Sequence, residues 1–223
     1  MTDINHSLRL STAAVLVLLL GSYVFAGRVS AQEEQDISQV NSDISITAGE
    51  QTGDLSTVNG SIIIAERVTA GEVSTVNGSI TLDDESSTAF VKTINGSIST
   101  GTNVTIDGSL ETVNGNISTD RSTQIMGSIE TVNGNLHLHQ TEVADDVQTT
   151  RGNILILDGS QVKGDVLFSG HRNWWNRLFG FSIGRPELTI DASSEVVGNI
   201  HLYHPVDLNV AEGSLHGEVI KHY

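Results

Sequence analysis

The chain has 223 residues and no cysteine, and its 27 Asp and Glu residues against 11 Lys and Arg residues give a formal net charge of −16 at pH 7. Such an acidic surface repels nucleic acid, so the composition argues against a nucleic-acid-binding function. Without cysteine the fold cannot rely on disulfides, and its stability must come from packing and backbone pairing.

Residues 1–31 have the features of a secretory signal peptide. Arg9 precedes the apolar run STAAVLVLLLGSYVFA, and Ala31 ends a small-residue cleavage site. The apolar core is shorter than the roughly 20 residues of a spanning helix, which favours cleavage over an uncleaved membrane anchor. A cut after Ala26 is the alternative. We therefore predict export to the periplasm, the outer envelope or the medium, and one domain over residues 32–223.

From residue 37 the sequence repeats itself every 18 or 19 residues. Each repeat has a corner followed by a short apolar alternation, as in LSTVNGSIII and VSTVNGSITL. The corner pairs are Asn59 and Gly60, Asn77 and Gly78, Asn95 and Gly96, Asn114 and Gly115, and Asn133 and Gly134. A fixed period over this many repeats predicts stacked coils, in which equivalent residues lie about 4.8 Å apart.

Two architectures compete for this pattern. Asn-Gly between apolar alternations is also a hairpin signal, but a string of hairpins does not require every loop to be the same. A solenoid does, so we predict an all-β fold: a single parallel β-helix (β-solenoid), right-handed, with about nine coils. In it, the asparagines are expected to hydrogen-bond amide to amide, and the glycines to supply a positive φ at the corner.

Three apolar columns run through the repeats and are predicted to form the core. They begin at Ile37, Val40 and Ile44 and recur in the following repeats, next at Leu55, Val58 and Ile62. A column of threonines lies between the first two: Thr57, Thr75, Thr93, Thr112, Thr131 and Thr149. We predict that these threonines face solvent, as β-branched residues often do on strands, without forming a uniform recognition surface.

The repeat continues beyond its last Asn-Gly corner, with one interruption. SQVKGDVLF, which starts at Ser160, resembles SEVVGNIHL, which starts at Ser194, and one coil plus an insertion explains the distance. The insertion, residues 169–186, replaces the next corner, and VDLNVAEGSLHGEVI is expected to form the final coil. Arg172, Arg177 and Arg185 are its arginines, and the residues predicted to bind a partner are Arg172, Trp174, Trp175, Arg177, Phe179 and Phe181.

The 169–186 loop has two interpretations at the level of sequence. Its aromatic and basic side chains bind an envelope protein, a glycan or a membrane surface, as loops on rigid scaffolds often do. Alternatively, the loop folds back and its aromatic residues cover an apolar side of the helix. Both interpretations fit the residues, and both stay open here.

The repeats also carry a family resemblance. STVNGSI at Ser56 and Ser74, KTINGSI at Lys92 and ETVNGNI at Glu111 resemble an adhesin-like β-strand-repeat family of bacterial envelope proteins, over roughly residues 37–168. The later VKGDV and VVGNI units resemble bactofilins, which are polymer-forming β-helical scaffold proteins. The resemblances imply a parallel β-helix and a structural or adhesin-like function, and neither brings a catalytic motif.

The chain has weak candidates for a catalytic or metal-binding site. No nucleophile–base pair or phosphate loop has the spacing of a catalytic motif, so we predict a protein that is not an enzyme and needs no cofactor. His137 and His139 lie two apart on a predicted strand and face outward, but they lack an adjacent third metal ligand. Exposed coil ends make self-association a further prediction.

A carbohydrate-binding or carbohydrate-active β-helix is the alternative function. A groove lined by Asp, Arg and aromatic residues beside the 169–186 loop would favour it, whereas an acidic surface without such a groove would favour the scaffold.

Overall fold

The computed structural model describes residues 35–170 and 185–223, so the predicted signal peptide and most of the 169–186 loop lie outside the described residues. Every regular element in these two ranges is a β-strand, and the strands pair in parallel. The same ranges contain no helix long and apolar enough to cross a membrane. The predicted all-β solenoid is therefore confirmed, with about nine coils at a spacing of about 18 residues.

Each coil crosses three stacks of strands, which we call the first, second and third faces. The first face precedes the asparagine corner and contains β1 (Ile37–Ser38), β3 (Leu55–Asn59), β5 (Thr69–Asn77), β7 (Ser87–Asn95), β10 (Leu110–Asn114), β13 (Ile129–Asn133), β16 (Val147–Arg151), β19 (Val166–Phe168), β22 (Ile200–Leu202) and β24 (Val219–Lys221). The second face follows the corner and contains β2 (Ile44–Ile46), β4 (Ile62–Ile64), β6 (Ile80–Leu82), β8 (Ile98–Thr100), β11 (Ile117–Thr119), β14 (Leu136–His139), β17 (Ile154–Leu157), β20 (Glu187–Ile190) and β23 (Asp207–Val210).

The third face lies between the second face of one coil and the first face of the next. Its separate strands are β9 (Thr105–Ile106), β12 (Thr123–Ile125), β15 (Thr141–Val143), β18 (Gln161–Val162) and β21 (Glu195–Val196). In the earlier coils β5 and β7 run continuously over the third and first faces. From β9 onward a bend divides the two, which gives the later coils three short strands each.

The coils stack in register. Leu55 pairs with Val73 and Asn59 with Asn77, and the 19-residue step keeps the same pairing, since Asn95 pairs with Asn114. Leu55 and Ile62, which belong to two of the predicted apolar columns, are fully buried, and so are their equivalents in the next coils. Burial of each such side chain contributes roughly 1.5–3 kcal/mol relative to exposure, so these two columns hold the stack together.

The third predicted apolar column faces outward and the threonine column faces the core, which is the reverse of the prediction. Thr57 and Thr93 are buried with 4% and 0% exposure, whereas Val40 is 61% exposed and Val58 is half-buried on the outer surface. The predictions for these two columns are therefore wrong. Strand alternation gives the reason: if Leu55 points inward, the residue two positions later does so as well, and Val58, three positions later, points outward.

The inward threonines are compatible with the core because each hydroxyl has a partner. Thr93 Oγ1 donates to the carbonyl oxygen of Gly78 at 2.9 Å, and Thr75 Oγ1 donates to that of Gly60 at 2.8 Å. A buried hydroxyl without a partner would cost about 1–3 kcal/mol, so this bond is what allows threonine at the position. From Thr57 to Thr149, the threonine column thus ties a strand of the first face to the corner of the preceding coil.

The corner glycines have a different role from the predicted one. Among the corner glycines of the described ranges, a positive φ occurs at Gly152, with φ +152°. An added Cβ at Gly78 or Gly96 would overlap the carbonyl oxygen of the glycine one coil earlier. Glycine is required here because two backbones approach closely. Positive φ angles occur instead between the second and third faces, for example at Arg67 (58°).

Candidate functional site

The asparagines of the corner form a continuous ladder. Each Nδ2 donates to Oδ1 of the asparagine one coil earlier, from Asn59 to Asn41 at 2.8 Å and from Asn133 to Asn114 at 2.9 Å. The bonds between these two ends run through Asn77, Asn95 and Asn114 at 2.7–2.9 Å. The asparagine side chains are largely exposed, so the ladder runs along the outer surface of the stack.

The ladder ends where the sequence pattern changes. Arg151 pairs in register with Asn133, and the next coil reaches this corner at Gly170, where the loop leaves the stack. Gly170 has φ +126°, a conformation that favours glycine. The chain returns at Arg185, just before β20. The strands on either side of the predicted insertion keep the register of the stack, since β19 pairs with β16 and β20 with β17.

We define the loop corner as the described residues around this exit: Thr150, Arg151, Ser169, Gly170, Arg185 and His204. Ser169 is held on the stack, since its Oγ lies 2.9 Å from Thr150 Oγ1 and accepts from Gln148 Nε2 at 3.2 Å. Arg185 Nη1 lies 3.5 Å from Asp207 Oδ1 in an exposed ion pair. The two ends of the loop are thus fixed by polar contacts to neighbouring coils.

Phe168 is the core residue beneath the loop corner. It pairs in register with Thr149 and takes the inward position that threonine has in earlier coils. It is fully buried, and the His204 ring lies edge-on to it with centroids 6.3 Å apart. At this position the aromatic ring replaces the threonine hydroxyl of the earlier coils. The change from TTRG at residues 149–152 to FSGH at residues 168–171 is the sequence signal for this substitution.

The residues predicted to bind a partner lie outside the described residues. They are Arg172, Trp174, Trp175, Arg177, Phe179 and Phe181. The described residues on both sides of the loop, Gly170 and Arg185, lie at one corner, between the first and second faces. Arg185 and Arg151 are the basic residues at that corner.

The weak metal candidates behave as surface histidines. His137 is exposed on β14, and His139 lies between two carboxylates, with Nε2 2.8 Å from Asp158 Oδ2 and Nδ1 3.4 Å from Asp120 Oδ1. Both ring nitrogens of His139 therefore face acidic groups of neighbouring coils and do not converge with His137. In the described part of the chain, no group of three or more metal-ligating side chains comes together.

A shallow groove of about 410 Å³ lies on the third face. Its polar lining includes Ser122, Gln124, Gln140, Glu142, Gln161 and Glu195. Glu142 pairs with Lys163 at 2.5 Å, and Gln161 donates to Glu195, so both carboxylates of the groove have a partner. The groove is at a different corner from the loop, and no aromatic residue or arginine is among the described residues that line it.

Two carboxylates stack on the outer side of the first face. Glu111 pairs in register with Glu130, and both are half-buried. Burial raises the pKa of Glu111 above its ordinary value; nearby Lys92 lowers it and Glu72 raises it. Burial also raises the pKa of Glu130, with a further increase from the charge of Glu111. Ionisation of these two carboxyl groups is therefore less favourable than that of an ordinary surface carboxyl group.

Asp191 is the opposite case, at the bend beside the groove. Its burial raises the pKa, but hydrogen bonds from the backbone N–H of Asp158 and from Ser194 and Ser193 outweigh this and lower the pKa of Asp191 to about 2. The carboxylate therefore stays ionised and holds the bend, with 2.7 Å from Asp158 N to Oδ2. This is a structural role, since all the contacts are to backbone and serine groups of two neighbouring coils.

No protein-family model, curated protein or solved structure matches this chain. The β-solenoid is shown by the structure itself, and membership of the adhesin-like or bactofilin families stays a prediction.

Proposed function

We propose that this chain is an exported, non-enzymatic β-helical protein of the bacterial cell envelope, a structural or adhesin-like scaffold that binds a partner through the 169–186 loop. The proposal is supported most by the way the loop is attached. β19 before the loop pairs with β16, and β20 after it pairs with β17, so the stack continues in register on both sides. A long aromatic and basic insertion that leaves the register unchanged is better suited to recognition than to folding.

The composition supports the same proposal. The scaffold is acidic, whereas the loop contains Arg172 and Arg177 together with Trp174 and Trp175. Tryptophan and arginine are the residues that most often dominate binding energy at interfaces, because they combine large contact area with directed hydrogen bonds. An envelope protein or a glycan with an acidic or hydroxyl-rich surface fits this chemistry.

The carbohydrate-active alternative receives less support. Its sequence criterion was a groove beside the loop lined by Asp, Arg and aromatic residues. The groove on the third face is at another corner and has a Ser, Thr, Gln and Glu lining among the described residues. We therefore propose the scaffold and not a glycan-cleaving enzyme.

Export is tested by fractionating a bacterial host that expresses the chain and by measuring the intact mass of the recovered protein. We expect an envelope or secreted protein that lacks residues 1–31, because Ala31 ends a small-residue cleavage site. A full-length protein in the cytoplasmic fraction would contradict the proposed location.

Partner binding is tested by recovery from envelope extracts with the mature chain as bait. A variant in which Asn-Gly replaces residues 170–186 has the same spacing from Phe168 to Leu188 as the intact corner has from Thr149 to Ile154, so the flanking strands keep their pairing. This variant should fold but lose the partner. Equal recovery by both forms would remove the argument for the loop.

A further inference from the structure

Two histidines that are 21 residues apart in sequence meet at the C-terminal end of the first face. His201 lies in β22 and His222 follows β24, the strand that pairs with β22 in parallel. His201 Nδ1 and His222 Nε2 are 3.0 Å apart. The ring centroids are 5.4 Å apart and the ring planes differ by 17°, so the two rings meet nitrogen to nitrogen along their edges.

Neighbouring side chains hold both rings in place. His201 Nε2 lies 3.3 Å from Asp165 Oδ2, and the His222 ring stacks on Tyr203 with centroids 4.3 Å apart and planes 9° apart. Asp165 is itself fixed, because its Oδ1 accepts the backbone N–H of Asn199 at 2.7 Å. When His201 Nε2–H donates to Asp165, the lone pair of His201 Nδ1 points toward His222.

We propose that His201 and His222 form a two-histidine site for a borderline divalent transition-metal ion, namely Cu²⁺, Ni²⁺ or Zn²⁺. Imidazole nitrogen is a preferred ligand of all three ions. A metal-binding histidine commonly donates its other ring N–H to a carboxylate, and Asp165 occupies that position relative to His201.

Binding replaces the hydrogen between the two nitrogens by the ion. His222 carries that hydrogen on Nε2 in the free pair and on Nδ1 when the ion is bound, so no proton is released. Both rings turn slightly on binding, so that their lone pairs converge on the ion. Since the described residues offer no third protein ligand nearby, water completes the coordination. Hard ions such as Mg²⁺ and Ca²⁺ prefer oxygen ligands and are excluded by this chemistry.

The site has a structural consequence. It links β22 to the residue after β24, so the bound ion holds the last described strand of the first face against its neighbour. The side chains are less covered in this last described strand: Val219 is 39% exposed although it pairs in register with the fully buried Ile200. A metal that binds the paired and not the separated strands stabilises the end coil by mass action.

The test is a calorimetric titration of the purified chain with CuCl₂, NiCl₂ and ZnCl₂, with MgCl₂ and CaCl₂ as hard-ion comparisons. We expect one ion per chain at this site and the tightest binding for Cu²⁺. His201→Gln and His222→Gln each raise the dissociation constant at least about tenfold, because one ligand remains. His137→Gln, which alters an exposed histidine on the second face, leaves the binding unchanged.

Asp165→Asn separates positioning from ligation. Asparagine keeps Oδ1 as an acceptor for Asn199 N–H, but its amide group does not accept the hydrogen of His201 Nε2–H. We expect about a tenfold weaker affinity, the lower end of the loss that follows from removing such a carboxylate.

Melting curves give a second readout. Zn²⁺ raises the melting temperature of the wild-type chain and not that of His222→Gln, whose side chain is exposed and follows the last strand, so that the variant keeps its fold. Wild-type affinity in either histidine variant, equal melting shifts in both proteins, or no binding of any of the three transition metals at 1:1 stoichiometry would overturn the proposal.

Discussion

Thr93 and Gly78 show how one residue contact determines two columns of the repeat. The threonine points into the core and donates to the glycine carbonyl of the preceding coil, at 2.9 Å. That glycine has no room for a Cβ because the corner of the earlier coil lies directly beneath it. Ser42 takes the glycine position in the first coil, which has no described corner beneath it. The close approach between coils, and not the turn itself, therefore selects glycine.

Thr93→Val tests the inward orientation of the threonine column. The substitution keeps the shape and removes the hydrogen bond to Gly78, so the free energy of unfolding should fall by about 1 kcal/mol. Thr105→Val, at a half-exposed position of β9, should change it little. Denaturant unfolding followed by circular dichroism measures both. An unchanged or higher stability of Thr93→Val would contradict a stabilising hydrogen bond from Thr93 to Gly78.

Gly96→Ala tests the contact between corners. The added Cβ would overlap the carbonyl oxygen of Gly78, so the two coils must separate locally, and we expect a loss of about 3 kcal/mol in unfolding free energy. Gly213→Ala is the control, since its Cβ would meet nothing within 4 Å and its φ of +83° costs about 1 kcal/mol. Similar losses in both variants would refute the steric explanation.

At the scale of the element, each strand of the first face adds one outward side chain to a vertical column. The column that contains Lys92, Glu111 and Glu130 is built by parallel pairing, so like charges are stacked wherever the sequence repeats them. In this parallel stack each residue faces its equivalent in the next coil, so two like charges at equivalent positions always lie side by side. The half-buried pair Glu111 and Glu130 is the place where this has a measurable effect.

The stability of the stack should therefore depend on pH through Glu111 and Glu130. Burial, as the largest cause, raises the pKa of both above the ordinary value of 4.5. A raised carboxyl pKa in the folded state means that the neutral form is favoured there. The stabilising contribution is complete below about pH 4.5 and is lost as the pH rises through the folded-state pKa.

Glu130→Gln should accordingly be more stable than the wild type at pH 7, by up to about 1 kcal/mol for a partly solvated group, and equal to it at pH 4. Glu212→Gln, at an exposed bend, is the comparison. Unfolding curves at the two pH values decide the matter, and a gain that is the same at both would mean that ionisation is not its cause.

The elements were predictable to different extents. The period fixes Leu55 and Ile62 as core positions, because six or seven repeats average out local ambiguity. The inward or outward orientation of Thr57 and Val58 depends on strict strand alternation, which apolarity alone misassigned. The approach of His201 and His222 depends on which strands stack, because β22 pairs with β24. The sequence shows this once the last coil is assigned to VDLNVAEGSLHGEVI. The groove on the third face comes from bends that the period does not specify.

The whole molecule consists of repeated coils and one distinctive loop. The coils that carry the Asn-Gly corner repeat the same contacts: a buried aliphatic column, a threonine bond, a close glycine approach and an asparagine rung. Because each coil contacts its immediate neighbours, the stability of such an array is close to a sum of coil and interface contributions. Removal of one complete coil should leave the rest intact.

The most direct test removes residues 60–77, which joins Asn59 to Gly78 and restores the repeat, since Asn59 and Asn77 are register partners. The shortened chain should fold, show the same circular dichroism per residue, and recover the envelope partner as well as the full chain does. Deletion of residues 60–68, half a coil, is the matched control and should prevent folding, because it places the following strands on the wrong faces. A whole-coil deletion that unfolds, or that loses the partner as the replacement of residues 170–186 by Asn-Gly is expected to, would contradict the division into scaffold and recognition loop.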